Sequence, residues 1–107
     1  MLNTVNLMGR LVRDVEVKAT ENGKVLNNAI AVQGPKDHTD FINFSAWNGT
    51  ADLIEKYVKK GDQFIIEGRI RTNSYDKDGQ TIYTTEVVAN RVVLLDNRAR
   101  QQQAPEA

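Results

Sequence analysis

Between Asp40 and Trp47 the chain reads Asp-Phe-Ile-Asn-Phe-Ser-Ala-Trp. At the two-residue period of a β-strand, Ile42, Phe44 and Ala46 share one face, and Phe41, Asn43, Ser45 and Trp47 share the other. The first set is a core face. The second places two large rings among small polar residues, on the side expected to meet water. Burying a ring contributes about 1.5–3 kcal/mol, so two rings left outside forgo stability unless something covers them. Flat rings spaced along a polar strand are platforms on which unpaired nucleic-acid bases stack. A half-buried edge, or a contact between subunits, is the other reading of the same pattern.

Stacked bases bring phosphates with them, so the charge balance matters. Fourteen Lys and Arg offset fourteen Asp and Glu, and no global field draws in a polyanion. A nucleic-acid surface on this chain therefore needs its cations gathered in one place. Arg10, Lys36, Arg69 and Arg71 are the candidates for that cluster, and Asn43 and Asn73 can supply adaptable polar contacts.

Other chemistries find little support. The chain has no cysteine and a single histidine, His38, which excludes disulfides, thiolate metal sites and a histidine-rich metal centre. Gly23-Lys24 lacks the upstream glycine of a phosphate-binding loop and runs into Val25. Asp37, Asp40, Asp76 and Asp78 fall in turn-forming segments, where aspartate serves local hydrogen bonds. Ser45 and Ser74 have no histidine and carboxylate at a spacing that suggests a triad. A binding protein without metal or cofactor is expected, not an enzyme. No apolar run approaches the ~20 residues of a membrane span, and the Met-Leu-Asn start is unlike a signal peptide, so the cytoplasm is the expected location.

The elements that must position these residues are mostly strands. Asn3–Val12 alternates with Val5, Leu7 and Leu11 inward, and Gly9 on that face predicts a bulge or sharp bend. Glu21–Lys24 is a turn with Gly23 at positive φ, followed by a strand over Lys24–Val32. Asn28 shares the inward parity of Ile30 and Val32 in that strand, with no evident reason. Gly34–Thr39 is a polar loop. Thr50–Lys60 is the one helical segment, with Leu53, Ile54, Tyr57 and Val58 as its apolar stripe, Thr50 as N-cap and Gly61 as its stop. Gln63–Arg71 follows with Phe64, Ile66 and Ile70 inward, and Asp76–Gly79 turns a hairpin between Arg71–Tyr75 and Gln80–Thr85. A last strand runs from Val87 to Leu95. Five antiparallel strands with one helix between the third and fourth, ending in a long hairpin, describe an all-β OB-fold barrel; an antiparallel meander is the competing topology. The barrel domain is expected over residues 1–96, with residues 97–107 a disordered tail by composition.

In this order the segments resemble the bacterial and phage single-stranded DNA-binding protein family. The likeness runs from Asn3 to about Leu95. Asn3–Asp14 looks like the family's opening strand, Asp40–Trp47 like its central strand and Tyr57–Gly61 like the end of its helix. Glu67–Tyr75 and Tyr83–Val88 look like the arms of its long hairpin. The resemblance implies base stacking on Phe41, Trp47 and Tyr75, the first two of which strand parity already places on the side expected to meet water. It implies a protein that coats single-stranded DNA in replication, recombination and repair, regardless of sequence. It also implies a homo-oligomer, with a tetramer expected ahead of a dimer, and the nearly uncharged outward set Thr4, Asn6 and Met8 suits a strand that meets another chain. Three departures stand out. Gln33–Thr39 has no ring where some members carry a fourth platform, Asn28 replaces a usually apolar residue, and the last residues lack the acidic, aromatic tip that recruits replication and repair proteins. An OB module for RNA or tRNA, and a primosome-type protein adaptor, are the rival readings.

Overall fold

The computed structural model describes residues 1–95; the expected tail over residues 97–107 and the last residue of the expected domain lie outside them. Its strands are β1 (Val5–Leu11), β2 (Val17–Thr20), β3 (Gly23–Gln33), β4 (Thr39–Trp47), β5 (Gln63–Lys77) and β6 (Gln80–Leu94). A 3-10 turn over Pro35–Asp37 precedes β4, and helix α1 (Asn48–Tyr57) follows it. The sheet order is β1-β5-β6-β4-β3-β2, and β1 pairs a second time with β3. That second pairing closes five strands into a ring, with the helix between the third and fourth of them, and leaves β2 on the outer edge of β3. This is the OB-fold barrel. Its ladders are antiparallel except β4 with β6, which run parallel.

Closure depends on Gly9. Gly9 lies opposite Phe64 of β5, and the next residue, Arg10, pairs with both Gln63 of β5 and Ala31 of β3. A Cβ on Gly9 would stand 2.2 Å from the Ala31 carbonyl oxygen, so only glycine lets β1 pass from one neighbour to the other. The glycine serves this close approach; the register irregularity lies instead at Glu67/Gly68, where a Cβ would stand 1.9 Å from the Val88 oxygen. Inside the ring, Leu26, Ile30, Phe44, Ile54, Phe64 and Ile66 are fully buried. The Phe44 and Phe64 rings meet edge to face, with centroids 6.1 Å apart.

The helix ends at Tyr57 with Val58 as its C-cap, short of the expected Lys60 and Gly61, and differs from its expectation in three further ways. It begins at Asn48 with Trp47 as the N-cap, and no side chain caps it. Thr50 lies inside the first turn, its hydroxyl 3.5 Å from the Asn90 oxygen. The buried stripe is Ala51, Ile54 and the following Val58, whereas Tyr57 is exposed with the Lys56 ammonium 5.3 Å from its ring centre. Six residues past Ala51, about one and two-thirds turns, Tyr57 falls outside the stripe that faces the barrel.

The hairpin is longer than expected. β5 and β6 each run 15 residues without interruption. Asp78 (φ 52°) and Gly79 (φ 78°) form its two-residue turn, both at positive φ as a type I′ hairpin requires. The arms outrun the barrel: the β1–β5 ladder ends at Gly68, and Ile70, expected inside, is 45% exposed just beyond it.

Asn28 has a structural reason. It is 1% exposed; its Oδ1 accepts from the Arg13 N–H at 3.1 Å, and its Nδ2 donates to the Arg13 oxygen at 3.1 Å. The side chain thus stands in for a strand partner and ties the β1–β2 connection to β3. Replacing it with leucine of similar size leaves these backbone groups unpaired. Asn28→Leu is expected to cost about 1–3 kcal/mol in urea unfolding, and an unchanged midpoint would contradict this role.

Candidate nucleic-acid interface

Residues paired across a ladder point their side chains to the same side of the sheet. Between β4 and β6, Ser45 lies opposite Val88, and between β6 and β5, Val88 lies opposite Arg69. Phe41, Asn43 and Trp47 share parity with Ser45; Arg71, Asn73 and Tyr75 share parity with Arg69. On the other flank Phe41 lies opposite Ala31, and Ala31 opposite Arg10. One outer face, continuous across β1, β3, β4, β6 and β5, therefore carries eight of the nine residues singled out in the sequence. The ninth, Lys36, is off the sheet in the 3-10 turn, exposed and at positive φ (56°), beside Asp37 and near the His38–Asp40 pair (3.0 Å).

The rings differ in depth. Phe41 is 67% exposed and Tyr75 52%, so both offer open faces. Trp47 is partly buried at the junction with the helix, which corrects the expectation of an open ring. Ser45 was expected to meet water but is buried, flanked in the register by Asn27 and Val88, and its hydroxyl has no hydrogen-bond partner among the described residues.

The cations differ in availability. Arg69 is exposed and makes no ion pair among the described residues. Arg10 is exposed and donates from Nη1 to the Gly61 oxygen at 2.9 Å. Arg71 is held by Glu86, which also accepts from Asn73 at 3.2 Å. Sequence reasoning missed Glu86. Counting outward from the Asp78-Gly79 turn pairs Arg71 with Glu86, so the hairpin register was the signal that could have found it. Among the described residues no group of three His, Cys, Asp or Glu side chains could hold a metal ion, and no helix is long and apolar enough to cross a membrane.

A model of the single-strand binding protein family matches residues 2–95. The chain belongs to this family. It is 41% identical to the single-stranded DNA-binding protein of Oceanobacillus iheyensis over 94% of this chain and 68% of that protein. It is likewise 41% identical to that of Halalkalibacterium halodurans, over 96% and 66%. The single-stranded DNA-binding protein 3 of Streptococcus agalactiae is 39% identical, over 96% and 80%. The chain thus spans about two thirds of the length of the first two relatives.

Within this single-strand binding protein family member, the burial of each ring sets what its removal costs. Phe41→Ala is expected to leave unfolding free energy within about 0.5 kcal/mol of the parent, as for an exposed site. Trp47→Ala is expected to cost more, as a fraction of the ~3–5 kcal/mol of a fully buried ring. Thermal unfolding distinguishes the two, and equal losses would contradict the difference in depth.

Proposed function

We infer that this chain binds single-stranded DNA regardless of sequence, coating and protecting exposed strands in replication, recombination and repair, and performs no reaction on them. The observation that carries the reading is the shared outer face of Phe41, Trp47 and Tyr75 with Arg10 and Arg69. Every base has a π-face, so stacking on rings is tolerant of sequence. The cations neutralise the backbone locally, which reconciles binding with a formal net charge of zero. Asn43 and Asn73 add adaptable hydrogen bonds, and Lys36 extends the charged margin from its loop.

The working form is a homo-oligomer, with a tetramer as the proposed assembly. Thr4, just before β1, and Asn6 and Met8 on its outer face are exposed and uncharged, which supports a neighbouring chain there. Assembly also places several weak sites on one strand and raises avidity without a strong net charge. The proposed setting is the cytoplasm of a bacterial or phage-infected cell.

Trp47 is the only tryptophan, so its fluorescence reports on the face directly. Poly-dT is expected to quench it with a stoichiometric break, and light scattering at micromolar concentration is expected to give a multiple of 12.0 kDa. Phe41→Ala and Tyr75→Ala are each expected to weaken binding by ~1–3 kcal/mol. Tighter binding to RNA of the same sequence would favour an RNA-binding module, and no retention on poly-dT at moderate salt would favour a protein adaptor.

A further inference from the structure

Arg71 and Glu86 lie opposite each other in the β5–β6 ladder. A single carboxylate oxygen, Glu86 Oε1, accepts from Arg71 Nε at 3.1 Å, from Arg71 Nη2, and from Asn73 Nδ2 at 3.2 Å. Their side chains are 35% and 19% exposed, the most shielded ion pair among the described residues. The pair sits on the same face as the rings. We propose that Glu86 occupies Arg71 in place of a phosphate, so that Arg71 stays out of backbone neutralisation and this part of the face meets DNA as a charge-neutral polar patch. The proposal rests on reading the face as the single-stranded DNA surface.

The physical argument is one of exchange. For Arg71 to take a phosphate, it must leave a half-buried carboxylate with only Asn73 as donor, beside an incoming like charge. The vacated carboxylate would need a cation of its own, so little net counterion release is gained. Arg69, two residues away on the same face and unpaired among the described residues, carries no such cost. Glu86 thus decides which arginine of the hairpin reads phosphate, and it lowers the ionic share of binding relative to stacking.

The test is the salt dependence of affinity for oligo-dT, measured for the parent, Glu86→Gln and the charge-neutral double variant Arg71→Gln/Glu86→Gln. One extra phosphate contact steepens the log–log slope by ~0.7 on a single strand. Glu86→Gln frees Arg71 and is expected to steepen the slope by at least about that amount, with affinity several-fold higher at low salt. The double variant is expected to return to the parent slope. A parent slope in Glu86→Gln would overturn the proposal. So would a double variant shallower than the parent by ~0.7, because Arg71 would then already be on phosphate. The double variant reads the question alone if circular dichroism shows that Glu86→Gln does not fold. Failure of the parent itself to bind oligo-dT would instead remove the functional reading, and the proposal with it.

Discussion

Phe44, Ser45 and Ala46 of β4 lie opposite Val87, Val88 and Ala89 of β6, and this short parallel ladder is the joint on which the proposed binding face depends. It connects the strand of Phe41 and Trp47 to the hairpin of Arg69 and Tyr75. A strand that slips by one residue moves every side chain to the opposite side of the sheet. Here such a slip would bring Phe41 and Trp47 into the barrel and turn Phe44 out. The register is held because Phe44, Ala46, Val87 and Ala89 are buried in the core, so the residues that stabilise the fold also set the direction of those on the outer face. Closing the ring at Gly9 extends the same constraint to Arg10.

Core and outer face are thereby divided by parity along β4 and by position along the hairpin. On β4 the inward set Phe44 and Ala46 is buried while Phe41 stands open. On β5 the inward parity keeps its burial only through Phe64, Ile66 and Gly68, and at Ile70 the strand leaves the barrel. Beyond that point both faces of the hairpin meet water, and alternation no longer means inside and outside. Tyr75 and Tyr83 illustrate the consequence. Both are exposed, at 52% and 77%, yet Tyr83 lies opposite Ser74 and Tyr75 opposite Ile82, so they stand on opposite faces.

What could be read in advance follows from the range of the interactions involved. The alternation of β4 and the barrel order were legible because they rest on local period and on a helix in a telling place. The four-residue β2 was not, since its residues are largely exposed and it becomes a strand only by pairing with β3. Asn28 looked misplaced because its partners, Arg13 and Asp14, lie in a connection with no periodic pattern. Trp47 sits deeper than expected because the helix begins directly after it, and Tyr57 shallower because the buried stripe runs through Ala51, Ile54 and Val58 and leaves Tyr57 to one side. The hold of Glu86 on Arg71 needed the hairpin register, and only the turn at Asp78-Gly79 sets that.

The central claim is that parity, and not exposure, selects the residues that touch DNA. Ultraviolet cross-linking of the oligo-dT complex, followed by digestion and mass spectrometry, tests it residue by residue. The account predicts thymine adducts on Phe41, Trp47 and Tyr75 and none on Tyr83, although Tyr83 is the most exposed of these tyrosines. Adducts on Tyr83 or Tyr57 in place of Tyr75 would contradict it.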